Sequence, residues 1–195
     1  VYAPYEAQFP GLPSRMRDAA VAAWQWAQAH PQAVYVQPAD IKTGGYDDKQ
    51  LQDEFFWAAT ELYLTTGDAA YHEAMNAQFS AAEVPSWHGV AGLAWVSLVQ
   101  HRDRLQAADR ARVESGIQVL ANRLSQQALS SAYRLPLQAQ DLKWGSNAVA
   151  LNQAMMLVQA YRVRADANYL DAAQSLLDYV LGRNALATTF VTGQG

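Results

Sequence analysis

The sequence predicts an all-α fold built from antiparallel helical hairpins, and three observations carry that reading. Apolar residues recur at helical spacing in seven segments separated by Gly, Pro or Asp punctuation. No alternating stretch is long enough to claim a sheet. The chain also echoes itself, because Tyr63, Asp68-Ala69, Tyr71 and Ala74 recur 98 residues later as Tyr161, Asp166-Ala167, Tyr169 and Ala172. Both copies spell helix, tight turn with an aspartate cap, helix. A two-helix repeat ordinarily has about half that period, so the copies read as alternate hairpins. Helical scaffolds without catalysis show the same pattern, so the repeat decides architecture alone.

Taken in order, Pro10, Gly11 and Pro13 punctuate the start, and Ser14 is the expected N-cap of a first helix with Met16, Ala19, Ala20, Ala23, Trp24 and Ala27 on one face. Pro31 ends it. A connector from Gln32 to Asp48, with Thr43-Gly44-Gly45-Tyr46-Asp47-Asp48, is too long for a bland turn. The second helix is expected from about Lys49 to Thr66, with Phe55, Ala58, Ala59 and Leu62 inward. Gly67-Asp68 turns the chain into a third over about Ala69 to Gln78. Pro85-Ser86 is expected to start a fourth, carrying Val90, Leu93, Ala94 and Leu98. Ala108 to Leu129 reads as the fifth, with Val113, Ile117, Leu120, Ala121 and Leu124 on one face. An irregular stretch, Arg134 to Lys143, leads to a sixth from Ser146 to about Arg164. The seventh, with Tyr169, Ala172, Ala173, Leu176, Leu177 and Val180 apolar, stops at about Gly182, and the Thr188–Thr192 run after it is expected to carry the chain across a surface.

Composition narrows the function classes. Of 195 residues, 51% are hydrophobic and only 16% charged, which suits a folded core and excludes disorder. A net charge of -4 gives no field that attracts polyanions, so nucleic acid is excluded as the expected partner. No run approaches the roughly twenty apolar residues of a membrane span. The absence of cysteine fits a secreted, periplasmic or cytosolic protein alike. Val1-Tyr2-Ala3-Pro4-Tyr5 has no signal-peptide character and reads as mid-domain sequence.

Four stretches carry a family likeness. Tyr179-Val180-Leu181-Gly182-Arg183-Asn184 is followed by Phe190-Val191-Thr192-Gly193. Trp144-Gly145-Ser146-Asn147 opens one helix and Ser86-Trp87 another, and Asp53-Glu54-Phe55-Phe56-Trp57-Ala58-Ala59 precedes Glu61-Leu62-Tyr63. In wording and order these resemble glycoside hydrolase family 9, the inverting cellulases and their relatives. The resemblance implies an (α/α)6 toroid of six hairpins, with residues 1–195 a single partial barrel. It also implies cleavage of β-1,4-linked glucan, as by an endoglucanase, and a secreted or periplasmic location. In the family the base-bearing Asp-Ala-Gly-Asp motif lies upstream of these stretches and the acid glutamate downstream, so the resemblance implies an internal piece without either, inactive alone. Its expected partners are a β-1,4-linked polysaccharide or oligosaccharide and the remainder of its own catalytic domain, or self-association.

The residues themselves leave several readings open. An inverting glycosidase needs two carboxyl groups far enough apart to admit a water. Asp47-Asp48 and Asp53-Glu54 are adjacent pairs, and neighbours on a helix point about a hundred degrees apart. Neither is an acid-base pair, and no catalytic residue is assigned. Asp53 and Glu54 are accounted for by the helix dipole. Alternatively, the resemblance implies a structural calcium held by such an acidic pair with a preceding Ser/Thr-Gly, here Thr43-Gly44, although His88 stands after Trp87 where an aspartate is common. No other cofactor is expected. Trp24, Trp26, Trp57 and Trp95 lie within helices and read as core. Trp87 and Trp144 sit at helix starts, where an indole either stacks on a pyranose ring or packs the rim, and Tyr46 is a weaker candidate for stacking. Asn147 and Arg183 read as helix-end braces. His30, His72, His88 and His101 lack the spacing of a zinc site. A non-catalytic carbohydrate-binding or scaffold protein, or another (α/α)6 enzyme such as a sugar epimerase or glucosaminidase, are the rival readings.

Overall fold

The computed structural model describes residues 5–42, 44 and 48–193. Among them are seven α-helices and no strand: α1 (Leu12–Ala29), α2 (Gln52–Thr66), α3 (Ala69–Ala77), α4 (Ala91–Gln100), α5 (Ala107–Ser130), α6 (Ser146–Val163) and α7 (Ala167–Val180). The all-α expectation holds. The chain forms two compact units, residues 1–78 and 79–195.

In the first unit α2 and α3 make a hairpin. Gly67 ends α2 with φ 74°, a left-handed conformation that favours glycine, and its N–H donates to the Tyr63 carbonyl at 2.8 Å. Asp68 then caps α3, its carboxylate accepting from the Ala70 N–H at 2.8 Å. Phe56, Ala59, Leu62 and Met75 are buried. Helix α1 begins two residues before the expected cap: Gly11 is the N-cap, Pro13 occupies the first turn, and the Ser14 hydroxyl donates back to the Gly11 carbonyl. Of its expected apolar face only Trp24 is buried, with edge contacts to Phe55 and Tyr71. Met16, Ala20 and Ala23 instead line a cavity of about 1060 Å³, opposite Phe55, Ala58 and Leu62 of α2. Trp26 is 57% exposed and stacks on His30, contrary to the core reading. Two residues along a helix are about 200° apart, so Trp24 and Trp26 cannot share a face. Trp57 is half-buried, its indole N–H donating to Glu61 at 3.0 Å.

The second unit has the larger core. Trp95 and Leu98 of α4, Val113, Ile117 and Leu124 of α5, Met156 and Leu157 of α6, and Tyr169 and Leu176 of α7 are buried together with Ala residues between them. Gly116 explains how α5 reaches Trp95, because a Cβ there would lie 2.3 Å from the indole ring. Phe79 meets Trp95 edge-on and carries the Arg112 guanidinium 3.6 Å above its own ring. The second hairpin, α6 and α7, repeats the aspartate cap, with Asp166 accepting from the Asn168 N–H at 3.1 Å. Tyr169 then ties α7 to α5, its hydroxyl donating to Asn122 Oδ1 at 2.6 Å while accepting from Arg164 at 2.6 Å.

After α7 the chain turns back before the largely exposed Thr188–Thr192 run. Asn184 folds it back: its amide donates to the carbonyls of Tyr179 and Thr188, both at 2.8 Å, and its Oδ1 accepts from the N–H groups of Leu186 and Thr188. The Phe190 N–H then closes on the Val180 carbonyl at 2.8 Å. One buried amide thus satisfies both sides of a turn, which makes Leu-Gly-Arg-Asn a loop knot.

Candidate functional site

Two exposed tryptophans stand on irregular segments of the second unit. Trp87 is 61% exposed. The helix expected to start at Pro85-Ser86 begins only at Ala91, because the Ser86 N–H is used inside a loop, donating to the Gly89 carbonyl at 2.8 Å. That loop lifts Trp87 and His88, whose rings lie 4.8 Å apart, out of the packed layer. Its base is fixed. Pro85 is buried, and the Asn152 side-chain amide of α6 donates to the Pro85 carbonyl at 2.8 Å.

Trp144 is 88% exposed and precedes Gly145, whose φ of 85° turns the chain into α6. A short 3-10 turn, Ala139–Asp141, leads to it. Asp141 accepts from the Gln138 N–H at 2.9 Å, a reciprocal cap that shapes the turn. Gln153 of α6 reaches the same carboxylate at 3.5 Å. With Leu142 60% exposed beside Trp144, this edge presents apolar surface on a defined scaffold. Asn147 neither caps α6 nor braces the loop by its side chain; the N-cap is Gly145. Arg183 reaches back along α7, to the Ser175 carbonyl at 3.4 Å and the Asp178 carboxylate at 3.8 Å, rather than to the last carbonyls of the helix.

The acidic group of the first unit is a separate feature. Asp53 and Glu54 occupy the first turn of α2, where the dipole favours negative charge. Burial, a hydrogen bond with Asp53 and the charges of Asp53 and Asp48 together raise the Glu54 carboxyl from 4.5 to about 7. Asp48 Oδ1 accepts from the Gln50 N–H, while Asp48 Oδ2 and Glu54 Oε2 are buried with no hydrogen-bond partner among the described residues. Two buried carboxylate oxygens without donors suit a hard cation chemically. Among the described residues, however, no three carboxylate or histidine side chains converge at metal-binding distance. Tyr46, together with Thr43, Gly45 and Asp47, lies outside the described residues.

Sequence reasoning missed Asn152, Gln153 and Asn184. A signal was available for the first two, since they are polar residues beside the phase of Ala150, Met156 and Leu157, where a buried amide must find a partner.

Helical among the described residues, the chain has the fold of the helical-barrel glycosidases whose solved structures it resembles. The chain belongs to the family described as Glycosyl hydrolase family 9, whose model matches residues 2–195. It is 35% identical to a xyloglucan-specific endo-beta-1,4-glucanase of Bacteroides ovatus, over all of this chain and 36% of that protein. Among solved structures, a family 9 protein of Bacteroides ovatus superposes with a TM-score of 0.91 at 34% identity, covering 100% of this chain and 38% of that one. The structure of AaCel9A in complex with cellobiose-like isofagomine gives 0.87 at 32% identity, covering 98% and 37%. The chain therefore spans little more than a third of each of these proteins. Its fold corresponds to part of their (α/α)6 barrel. Among the described residues no helix is long and apolar enough to cross a membrane.

Proposed function

We propose that this chain supplies substrate-binding wall to an inverting β-1,4-glucan hydrolase of the endoglucanase kind. The observation that carries the reading is the pair of exposed indoles, Trp87 and Trp144, on anchored loops of a family 9 framework. A flat indole stacks on the apolar face of a pyranose and gives affinity without reading hydroxyls, which suits a repetitive glucan. The catalytic acid and base are assigned to no residue of this chain. Asp53 and Glu54 open α2, Glu54 feels the charge of Asp48, and a calcium ion there would take the place of the proton that Glu54 holds. Such an ion would supply only charge neutralisation, tightening the connector onto α2.

The open cavity between α1 and α2 supports a cover of further chain from the same catalytic domain, or of a second copy. A secreted or periplasmic location goes with a polymeric substrate. The test is reducing-sugar release and product anomer from carboxymethyl cellulose, lichenan, xyloglucan and chitosan oligomers, comparing the 195-residue chain with the protein as its gene encodes it. Sugar with inverted configuration from the encoded protein alone is the expected result. Release by the 195 residues alone would sink the assignment of acid and base elsewhere, and Asp48, Asp53 and Glu54 would then be substituted singly. Binding without release by either protein would favour a non-catalytic carbohydrate-binding role, which the same two indoles would serve.

A further inference from the structure

We propose that Asn152 is a positioning residue for sugar binding: from α6 it holds the Pro85 carbonyl and thereby sets the direction in which Trp87 presents its indole face. The inference rests on the reading of Trp87 as a stacking residue and adds the group that aims it.

Two contacts from neighbouring helices hold the segment before Trp87. Pro85 has no N–H and a fixed φ, so its carbonyl is its one backbone hydrogen-bonding group. The Ser86 N–H is committed within the loop to Gly89. The Asn152 amide, 67 residues away in sequence, meets the Pro85 carbonyl at 2.8 Å on a part-buried site. From the other side, α4 presses in at Gly92, where a Cβ would lie 2.6 Å from both the Glu83 carbonyl and the Pro85 ring. The segment before Trp87 is thus gripped between a glycine of α4 and an amide of α6, and the exposed loop projects from that grip. The next residue of α6, Gln153, reaches Asp141 in the turn that precedes Trp144. Adjacent amides of one helix therefore reach the bases of both tryptophan loops, so a rotation of α6 would shift both indoles together.

The test uses the protein as its gene encodes it and titrates cellohexaose into wild type, W87A, N152D and N152L, at pH 7 and pH 4, with near-UV circular dichroism as the check on folding. N152D keeps the shape but has no donor while ionised, and N152L is an apolar replacement of similar size. At pH 7 both should bind on the order of tenfold more weakly, in line with the cost of misplacing a binding group. In hydrolysis assays KM should rise with kcat little changed, the mark of lost uniform binding. At pH 4 the protonated carboxyl of N152D donates again, so its affinity should return toward that of wild type at the same pH, whereas N152L stays weak. A merely structural role predicts instead that binding falls only where the near-UV spectrum changes, whereas here N152L binds weakly with that spectrum unchanged. Wild-type affinity in N152D or N152L, with W87A weak, would overturn the inference, and so would a defect in N152D that persists at pH 4. If N152D fails to fold, N152L alone decides by the same criterion. Unchanged affinity in W87A would instead remove the stacking reading beneath it.

Discussion

The hairpins α2/α3 and α6/α7 carry the same sequence echo and the same aspartate cap, yet the second is tied into its unit by side-chain hydrogen bonds and the first by ring contacts to Trp24. Tyr71 is half-buried and touches Trp24 through a ring edge, whereas its counterpart Tyr169 is fully buried and bonded to both Asn122 and Arg164. The turns differ too. The first relies on Gly67 in a left-handed conformation, while in the second Arg164 leaves the helix extended and spends its guanidinium on Asp166 and Tyr169. A repeat fixes the local turn; what the copies pack against fixes their worth.

That contrast is broken most directly by deleting the two tyrosines. Y169A should cost about 3–5 kcal/mol in denaturant unfolding, as for a buried aromatic replaced by alanine, and Y71A distinctly less. Removing only the hydroxyl is a finer cut. Y169F should cost about 0.5–1.5 kcal/mol, the net worth of one hydrogen bond, because Asn122 is exposed and its Oδ1 still accepts from Arg164, while Y71F should leave the midpoint nearly unmoved. The caps sharpen the shared part of the comparison, since D68A and D166A should each cost about 1 kcal/mol. Site-resolved amide exchange would localise each loss to its own hairpin, and unequal losses would refute equivalence of the caps.

The pH profile separates the hairpins by sign, because their carboxyl groups are shifted in opposite directions. Glu54 is raised to about 7, so the folded chain holds a proton that the unfolded chain releases near 4.5, and exchange protection of α2 should fall as pH climbs between those values. Calcium, if bound there, should reverse the trend, and E54Q should abolish it. Asp166 is lowered, chiefly by the Asn168 N–H, so α7 should keep its protection above the ordinary carboxylate range and lose some as pH falls below it. A parallel response in both hairpins would contradict this.

Much of the fold was legible because hairpin chemistry is local. Asp68 and Asp166 cap as expected, and the apolar phase of α5 is buried as read, because both depend on residues a few positions apart. The misreadings have equally physical causes. Ser14 gave way to Gly11 as cap because a left-handed residue before Pro13 starts the helix sooner. Ser86 did not start α4 because its N–H closes a loop instead. Trp26 reads as core from its place within a helix, but its phase is opposite to Trp24 and it is exposed.

By itself the sequence determined the helices, their hairpin pairing and, through four motifs, the family. Those properties are written in spacing along a few turns or in strings of adjacent residues. Only the tertiary structure decided that Asn152 holds the Pro85 carbonyl, that Gly116 makes room for Trp95, and that Asn184 knots the chain after α7. Each of the first two joins segments far apart in the chain, and the third depends on a turn whose carbonyls converge only once α7 has formed. No periodicity encodes such meetings, because they arise where packed elements bring a polar group, or the lack of a side chain, against a particular backbone atom.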